Sequence, residues 1–107
     1  MPDVDVFAAI ANPARREVLR LLRDGGPRPV AQLAEHFDMR RPSLSEHLKL
    51  LKDAGLVVER RDGRQRLYSL RPEPLRELAD WLALTIMGGG WRTHIMRALE
   101  AELADRE

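Results

Sequence analysis

The chain contains no cysteine, and this absence excludes several kinds of chemistry at once. Without a thiol it can form no disulfide, thiolate metal site, iron–sulfur cluster or cysteine nucleophile. Long apolar runs are also absent: 33% of the residues are charged, and no stretch reaches the roughly 20 apolar residues of a membrane span. The first residues are acidic and no apolar segment follows them, so we expect no signal peptide and a cytoplasmic protein.

The sequence motifs of common enzymes are missing as well. The chain has no glycine-flanked serine elbow and no pair of histidines at metal-ligand spacing. The three glycines at 88–90 follow a helical pattern rather than a strand, and no Lys-Ser or Lys-Thr follows them. They therefore predict a helix break rather than a phosphate-binding loop. The sequence argues against an enzyme.

Charge is balanced overall but unevenly distributed. The 107 residues, 44% of them hydrophobic, predict one domain over residues 1–107 with a small core. The balance of 18 Lys and Arg against 17 Asp and Glu argues at first against a nucleic-acid partner. Residues 40–71, however, hold nine basic and four acidic residues. Because a field acts on partners locally, this segment predicts an anion-binding face; the alternative is a solvated charged surface.

Apolar residues at helical spacing predict four helices in the first half of the chain. Asn12-Pro13 predicts a helix start, because Asn is a favoured N-cap and Pro a favoured first helical residue. Gly55 predicts a helix end. The predicted helices are a short one through Val6, Ala9 and Ile10, a second over about 13–24, a third from Pro29 to near Asp38, and a fourth over about 42–53.

The pattern changes after Gly55. Residues 56–60 and 65–70 are rich in strand formers, and Asp62-Gly63 between them is a strong hairpin signal. The sequence thus predicts a two-stranded hairpin with an arginine-rich tip. Residues 71–74 begin a further helix, whose apolar band is too wide for a helix with one face in water. A final helix follows the glycines.

Two short helices joined by a tight turn and followed by a β-hairpin predict a winged helix-turn-helix, mainly α with a small hairpin and a broken C-terminal helix. In this fold the second helix of the motif enters the major groove of DNA, and arginines of the hairpin contact the backbone or the minor groove. The candidate DNA-binding residues are Arg40, Arg41, Ser43, Ser45, His47, Lys49, Arg60, Arg61, Arg64, Gln65 and Arg66.

Five segments, 7–16, 30–34, 42–51, 54–57 and 63–70, carry a recognisable combination: FAAIANPARR, VAQLA, PSLSEHLKLL, AGLV and GRQRLYSL. In this order and spacing they resemble the ArsR/SmtB family of bacterial transcriptional regulators, over roughly residues 5–85. The resemblance implies a homodimeric repressor on a palindromic operator, with the first and last helices forming the dimer. The candidate interface residues are Val6, Ile10, Leu75, Leu78, Trp81, Leu82, Ile86 and Trp91.

The chain departs from the family pattern in two places. Arg40 stands where the family has a Ser or Thr cap, so either Asp38 helps to cap the helix or the helix start is looser. The cysteine metal motif of the third helix falls on residues 29–34, which have no thiol. The fifth-helix site falls approximately on Pro72, Pro74, Thr85 and Gly88, which are poor ligands. No cofactor and no metal-binding residue is predicted.

The three histidines leave alternatives open. His47 has a role in DNA contact or in helix packing. His36, beside Glu35 and Asp38, suggests a nickel or zinc site, but neighbouring positions on a helix do not converge on one ion, which favours a solvated face. His94 also leaves two alternatives open. Its two copies at a dimer interface suggest a second non-standard metal site, and the alternative is a surface or packing role.

A protein-interaction module is the competing function, since winged helices also bind proteins. A regulator that needs a co-repressor, or one that responds to nickel or zinc at a non-standard site, also stays open. The basic tip of the hairpin distinguishes a DNA-binding protein from an interaction module. An interaction module has no need of a basic tip beside a polar helix face. The sequence thus favours double-stranded DNA as the partner.

Overall fold

The computed structural model describes residues 5–87 and 89–105, with side chains described except at 87–92 and 105. The chain divides into two compact units, one up to Leu75 and one from Arg76 onwards. No helix within the described ranges is long and apolar enough to cross a membrane. The elements are α1 (Val6–Ala9), α2 (Pro13–Gly25), β1 (Arg28–Pro29), α3 (Val30–Ala34), α4 (Arg41–Asp53), β2 (Val57–Asp62), β3 (Gln65–Leu70), α5 (Leu75–Met87) and α6 (Gly89–Asp105).

The turn between α1 and α2 forms as the sequence predicts. Asn12 is the N-cap of α2, and its Oδ1 accepts hydrogen bonds from the backbone N–H groups of Ala14 at 2.8 Å and Arg15 at 3.3 Å. Pro13 occupies the first helical position, where a missing N–H leaves no hydrogen bond unmade. This cap fixes the position of Arg15 one turn into α2.

The third helix is shorter than predicted. The sequence pattern extends it to near Asp38, but α3 ends at Ala34. Beyond it, the N–H groups of Glu35, His36 and Phe37 each bond to the carbonyl three residues earlier. The prediction was wrong because Phe37 keeps the apolar spacing of the helix while the backbone has already tightened into a turn.

The two ends of α4 differ in how they are capped. Arg40 is the N-cap, and its side chain makes no cap bond, which agrees with the looser start. At the other end Gly55 has φ +78°, its N–H bonds to the Lys52 carbonyl at 3.0 Å, and the Leu56 N–H bonds to the Leu51 carbonyl at 2.9 Å. These bonds form a Schellman cap, with both leucines fully buried. The prediction that Gly55 ends the helix is confirmed.

The sheet has three strands rather than the predicted two, in the order β1-β3-β2. Arg28 pairs with Tyr68 and Pro29 with Leu67. A two-residue strand that contains proline shows no strand pattern in the sequence, and proline is tolerated here because β1 lies at the sheet edge. The hairpin itself turns through Gly63-Arg64 with Gly63 at φ +65°, as the first central residue of a type II′ turn requires.

The core of the first unit is apolar and joins helices to sheet. Leu44, Leu48 and Leu51 of α4 are at most 1% exposed. Burial of each such side chain contributes about 1.5–3 kcal/mol. They pack in one cluster with residues of α1, α2, α3 and the hairpin base, including Val6, Ala9, Val18, Leu19, Leu21, Leu22, Leu33, Leu56 and Val57.

The second unit contains α5 and α6 and shows many exposed apolar side chains. Ala83 is 1% exposed, whereas Trp81 is 52% and Ile86 63% exposed. Leu82, Leu84, Leu99 and Leu103 are exposed as well. Of these side chains, the ones on α5 belong to the wide apolar band that the sequence pattern indicates over 75–86, while Leu99 and Leu103 lie on α6.

Replacing Asn12 tests the cap at the turn. Asn12→Ala removes the acceptor of two backbone bonds, so we expect the free energy of unfolding to fall by about 1 kcal/mol. Asn12→Asp is the matched control, because it keeps an oxygen at the cap and should retain most of the stability. Urea unfolding followed by circular dichroism measures both; equal losses for the two variants would contradict the role of the cap.

Candidate nucleic-acid interface

The face of α4 opposite its buried leucines is polar and exposed. Ser43, Ser45 and Lys49 lie on this helix with exposed side chains, and Arg40 and Arg41 at its start are exposed as well. Hydroxyl, ammonium and guanidinium groups are the groups that bond to base edges and phosphates. The helix therefore offers donors and acceptors to an external partner without disturbing the core.

His47 differs from the other candidates on α4 because it is half-buried and has a partner within the protein. Its Nδ1 lies 3.1 Å from Nη1 of Arg15 on α2. Arg15 also donates from Nε to the Ala9 carbonyl at 2.7 Å and from Nη2 to the Ala8 carbonyl at 3.2 Å. His47 thus contacts α2, which agrees with the packing alternative and leaves the other ring nitrogen for a second partner.

The cations of the hairpin are divided between the two faces of the sheet. We call residues 59–66 the wing. Glu59 pairs with Tyr68 and Arg61 with Arg66, so these four side chains lie on one face, while Arg60, Asp62 and Gln65 lie on the other. Arg64 lies in the turn. The sequence pattern alone does not distinguish these arginines from one another. The strand register places Arg60 on the opposite face of the sheet from Arg61 and Arg66.

Glu59 connects the wing to the last turn of α4. Its carboxylate accepts from Lys52 Nζ at 3.0 Å, from Arg66 Nη1 at 3.1 Å and from the Tyr68 hydroxyl at 3.2 Å. The side chain of Glu59 is only 14% exposed, whereas those of Lys52 and Arg66 are more than half exposed. The carboxylate also offsets the repulsion between Arg61 and Arg66, which lie directly opposite each other on adjacent strands.

The bonds at Glu59 change the acidity of two groups. Hydrogen bonds from Lys52 and then Arg66 lower the pKa of the Glu59 carboxyl below its usual range, against a smaller opposing effect of burial. Burial, followed by the nearby Glu59 charge, raises the pKa of the Tyr68 hydroxyl. At neutral pH the carboxylate is therefore charged and the hydroxyl protonated, the forms that these contacts require.

An open cleft of about 300 Å³ lies beside the wing. It is lined by Pro29, Val30 and Ala31 on one side and by Arg64, Gln65, Arg66 and Tyr68 on the other. Residues 29–31 belong to the segment on which the family's cysteine motif falls. Because two guanidinium groups line the cleft, it belongs to the same cationic surface as the wing and does not form an enclosed apolar pocket.

The candidate metal sites of the sequence do not assemble. Within residues 5–87 and 89–105 no three His, Cys, Asp or Glu side chains come together in a way that could hold a metal ion. This includes His36 with Glu35 and Asp38. Gly88, one of the positions of the fifth-helix site, lies outside the described residues.

Apart from Trp91, the candidate dimer residues fall into three groups by exposure. Val6 is 5% exposed and belongs to the core, so it has almost no surface to offer a partner. Ile10 and Leu75 also pack against this core but are half-buried, as is Leu78. Trp81, Leu82 and Ile86 keep 40–63% of their surface exposed. The side chain of Trp91 lies outside the described residues.

The fold and the polar face of α4 beside a basic wing define a winged-helix DNA-binding transcriptional regulator. A helix-turn-helix domain model matches residues 10–60. The transcriptional repressor SdpR of Bacillus subtilis is 40% identical over 78 residues, 73% of this chain and 86% of the relative. The regulator NmtR of Mycobacterium tuberculosis is 42% identical over 72 residues, 67% of this chain and 59% of the relative.

A solved structure extends the similarity over nearly the whole chain. The ArsR-like transcriptional regulator from Rhodococcus sp. RHA1 superposes with a TM-score of 0.70 at 26% identity, covering 96% of this chain and 90% of that one. The chain belongs to the ArsR/SmtB family of winged-helix transcriptional regulators. Members of this family regulate transcription and are not enzymes, so the expectation from the missing catalytic motifs is confirmed.

Two residues at this interface were not candidates in the sequence. Arg15 lies on α2 among the residues that the pattern places largely off the apolar face, and its contact with His47 joins positions 32 residues apart. Glu59 is an acidic residue in a basic segment, and a count of charges there registers it only as one negative charge. Its position opposite Tyr68 in the hairpin register is the signal that identifies it.

Replacing Glu59 tests the connection between α4 and the wing. We expect Glu59→Gln to lower the free energy of unfolding by about 1 kcal/mol at pH 7, because it removes two partly exposed ion pairs. The pKa of Glu59 is lower in the folded protein, so its contribution is present above the unfolded-state pKa and is lost as the pH falls through the folded pKa.

The measurement is urea unfolding at several pH values from 7 downwards. The difference between wild type and Glu59→Gln should shrink as the solution becomes acidic. Glu46→Gln is the control, since Glu46 lies exposed on α4 and its replacement should show no such pH-dependent difference. A difference that stays constant down to low pH would show that the charge of Glu59 is not what stabilises the connection.

Proposed function

We propose that this protein is a homodimeric repressor that binds a palindromic operator through residues 42–53 and the wing. The observation that carries the proposal is the exposed polar face of α4 joined to a basic wing by Glu59. Phosphate contacts from the wing set affinity and register, and Ser43, Ser45, His47 and Lys49 discriminate between bases. Double-stranded DNA is the proposed partner, and the cytoplasm is the proposed location.

A repressor role is supported by the relative named a transcriptional repressor, which is 40% identical over 78 residues. The proposal includes no resident metal, because the segments that hold metal in the family lack ligands here. Residues 29–34 offer no thiol, and Pro72, Pro74 and Thr85 offer no carboxylate or imidazole. In this proposal residues 1–107 form one module. Helix α4 and the wing bind DNA, and the first and last helices bind a second copy.

Sequence-specific binding is tested with a labelled palindrome from the DNA upstream of the protein's own gene. We expect fluorescence anisotropy to give tighter binding to this duplex than to a scrambled one. With about three to five phosphate contacts for each subunit, the slope of log K against log salt for the dimer should be roughly −5 to −9. Equal affinity for both duplexes at physiological salt would contradict the proposal and favour an interaction module.

The role of the wing is tested by replacing Arg64 and Arg66 together with Ala. Loss of two phosphate contacts in each subunit should make the salt slope shallower by about 3 to 4, with sequence preference largely kept. Arg23→Ala, at the end of α2 and outside the proposed interface, is the control for removal of a cation. If the slope of the wing variant equals that of wild type, the wing does not contact DNA.

The dimer is tested through the exposed apolar side chains of α5. Ile86 is 63% exposed in the single chain, and a charge buried in an apolar interface is strongly unfavourable. We expect sedimentation equilibrium at micromolar concentration to give a dimer mass for wild type and a monomer mass for Ile86→Glu. Arg76→Glu, on the exposed first turn of the same helix, should remain dimeric. A wild-type monomer would contradict the proposed assembly.

A further inference from the structure

Arg15 connects three helices through one side chain. Its Nε and Nη2 donate to the carbonyls of Ala9 and Ala8, at the end of α1, and its Nη1 lies 3.1 Å from Nδ1 of His47 on α4. The planar guanidinium holds these donors in a fixed arrangement, which a flexible ammonium group cannot reproduce. The contacts with Ala9 and His47 are partly buried, whereas the contact with Ala8 is exposed.

The neighbouring arginine provides an internal comparison. Arg16 also caps the end of α1, with Nη1 donating to the Ile10 carbonyl at 2.8 Å. It is exposed, and within the described residues it makes no hydrogen bond to α4. Arg15 and Arg16 therefore share their charge, their helix and their capping of α1, and they differ in whether they hydrogen-bond to α4.

The contact with Arg15 fixes the chemical form of His47. A guanidinium N–H can only donate, so Nδ1 of His47 must accept, and the proton of the neutral imidazole is assigned to Nε2. The nitrogen left for DNA is then a hydrogen-bond donor. It is suited to acceptors such as purine N7, guanine O6 or a phosphate oxygen.

We propose that Arg15 is a positioning residue for DNA recognition. It holds the end of α1 against α4 and orients His47 with Nε2 as a donor towards an acceptor on DNA. His47 follows the buried Leu44 and precedes the buried Leu48, so a restraint on its ring acts on the middle of the recognition helix. The inference rests on the proposed function, in which α4 contacts the bases.

The contact itself is tested in the free protein by NMR of the imidazole nitrogens above pH 7.5. In wild type we expect the His47 Nδ1 resonance of an acceptor and a single Nε2–H tautomer. Arg15→Gln should shift the Nδ1 resonance and admit the second tautomer, whereas Arg16→Gln should leave the ring unchanged. An Nδ1 resonance that is the same in wild type and Arg15→Gln would overturn the proposal.

The effect on recognition is tested by the affinity for the operator relative to that for a scrambled duplex, at one salt concentration. Loss of one positioned base contact predicts that Arg15→Gln reduces this ratio about tenfold. Arg16→Gln removes the same charge one residue away and should leave the ratio unchanged. In a His47→Ala background, Arg15→Gln should cause no further loss, because its effect acts through His47.

Arg15→Lys keeps the charge but not the fork, so it should reproduce the loss of the ratio and replaces Arg15→Gln if that variant does not fold. A wild-type protein without preference for the operator would overturn the proposed function itself. With the wild-type preference intact, equal losses for Arg15→Gln and Arg16→Gln, or an undiminished loss in the His47→Ala background, would overturn this inference alone.

Discussion

Burial of one face of α4 is the interaction on which the rest of the structure depends. Leu44, Leu48 and Leu51 are withdrawn from water into the cluster formed by the other helices and the hairpin base. Because these leucines recur at intervals of three and four, their burial leaves the intervening polar residues exposed. The core therefore determines which face of the helix is exposed to a partner.

Much of this arrangement could be predicted from the sequence, because it depends on local signals. The Asn12-Pro13 start, the Gly55 cap and the Asp62-Gly63 hairpin are each encoded within a few neighbouring residues. The strand β1 and the contact between Arg15 and His47 are pairings between distant parts of the chain, and no local pattern reports them. The early end of α3 was missed for a different reason, since Phe37 continues the apolar spacing after the helix has stopped.

The near-neutral charge of the chain also has a local explanation. Within the basic segment 40–71, Glu59 is paired with Lys52 and Arg66, so two of its nine basic residues are already partly neutralised. Non-specific affinity for DNA grows with the number of cations that replace counterions. A carboxylate placed between two of them lowers that contribution while fixing their positions, which favours selectivity over raw attraction.

Helix α4 is restrained from two directions by groups that are not themselves candidates for base contact. In its middle, His47 is bonded to Arg15 and through it to the end of α1; in its last turn, Lys52 is bonded to Glu59 and through it to the wing. The residues between Ser43 and Lys49 therefore lie on a helix whose rotation and tilt are restrained by α1, through Arg15, and by the wing, through Glu59. A change in the position of α1 or of the wing must then alter either these bonds or the orientation of the helix.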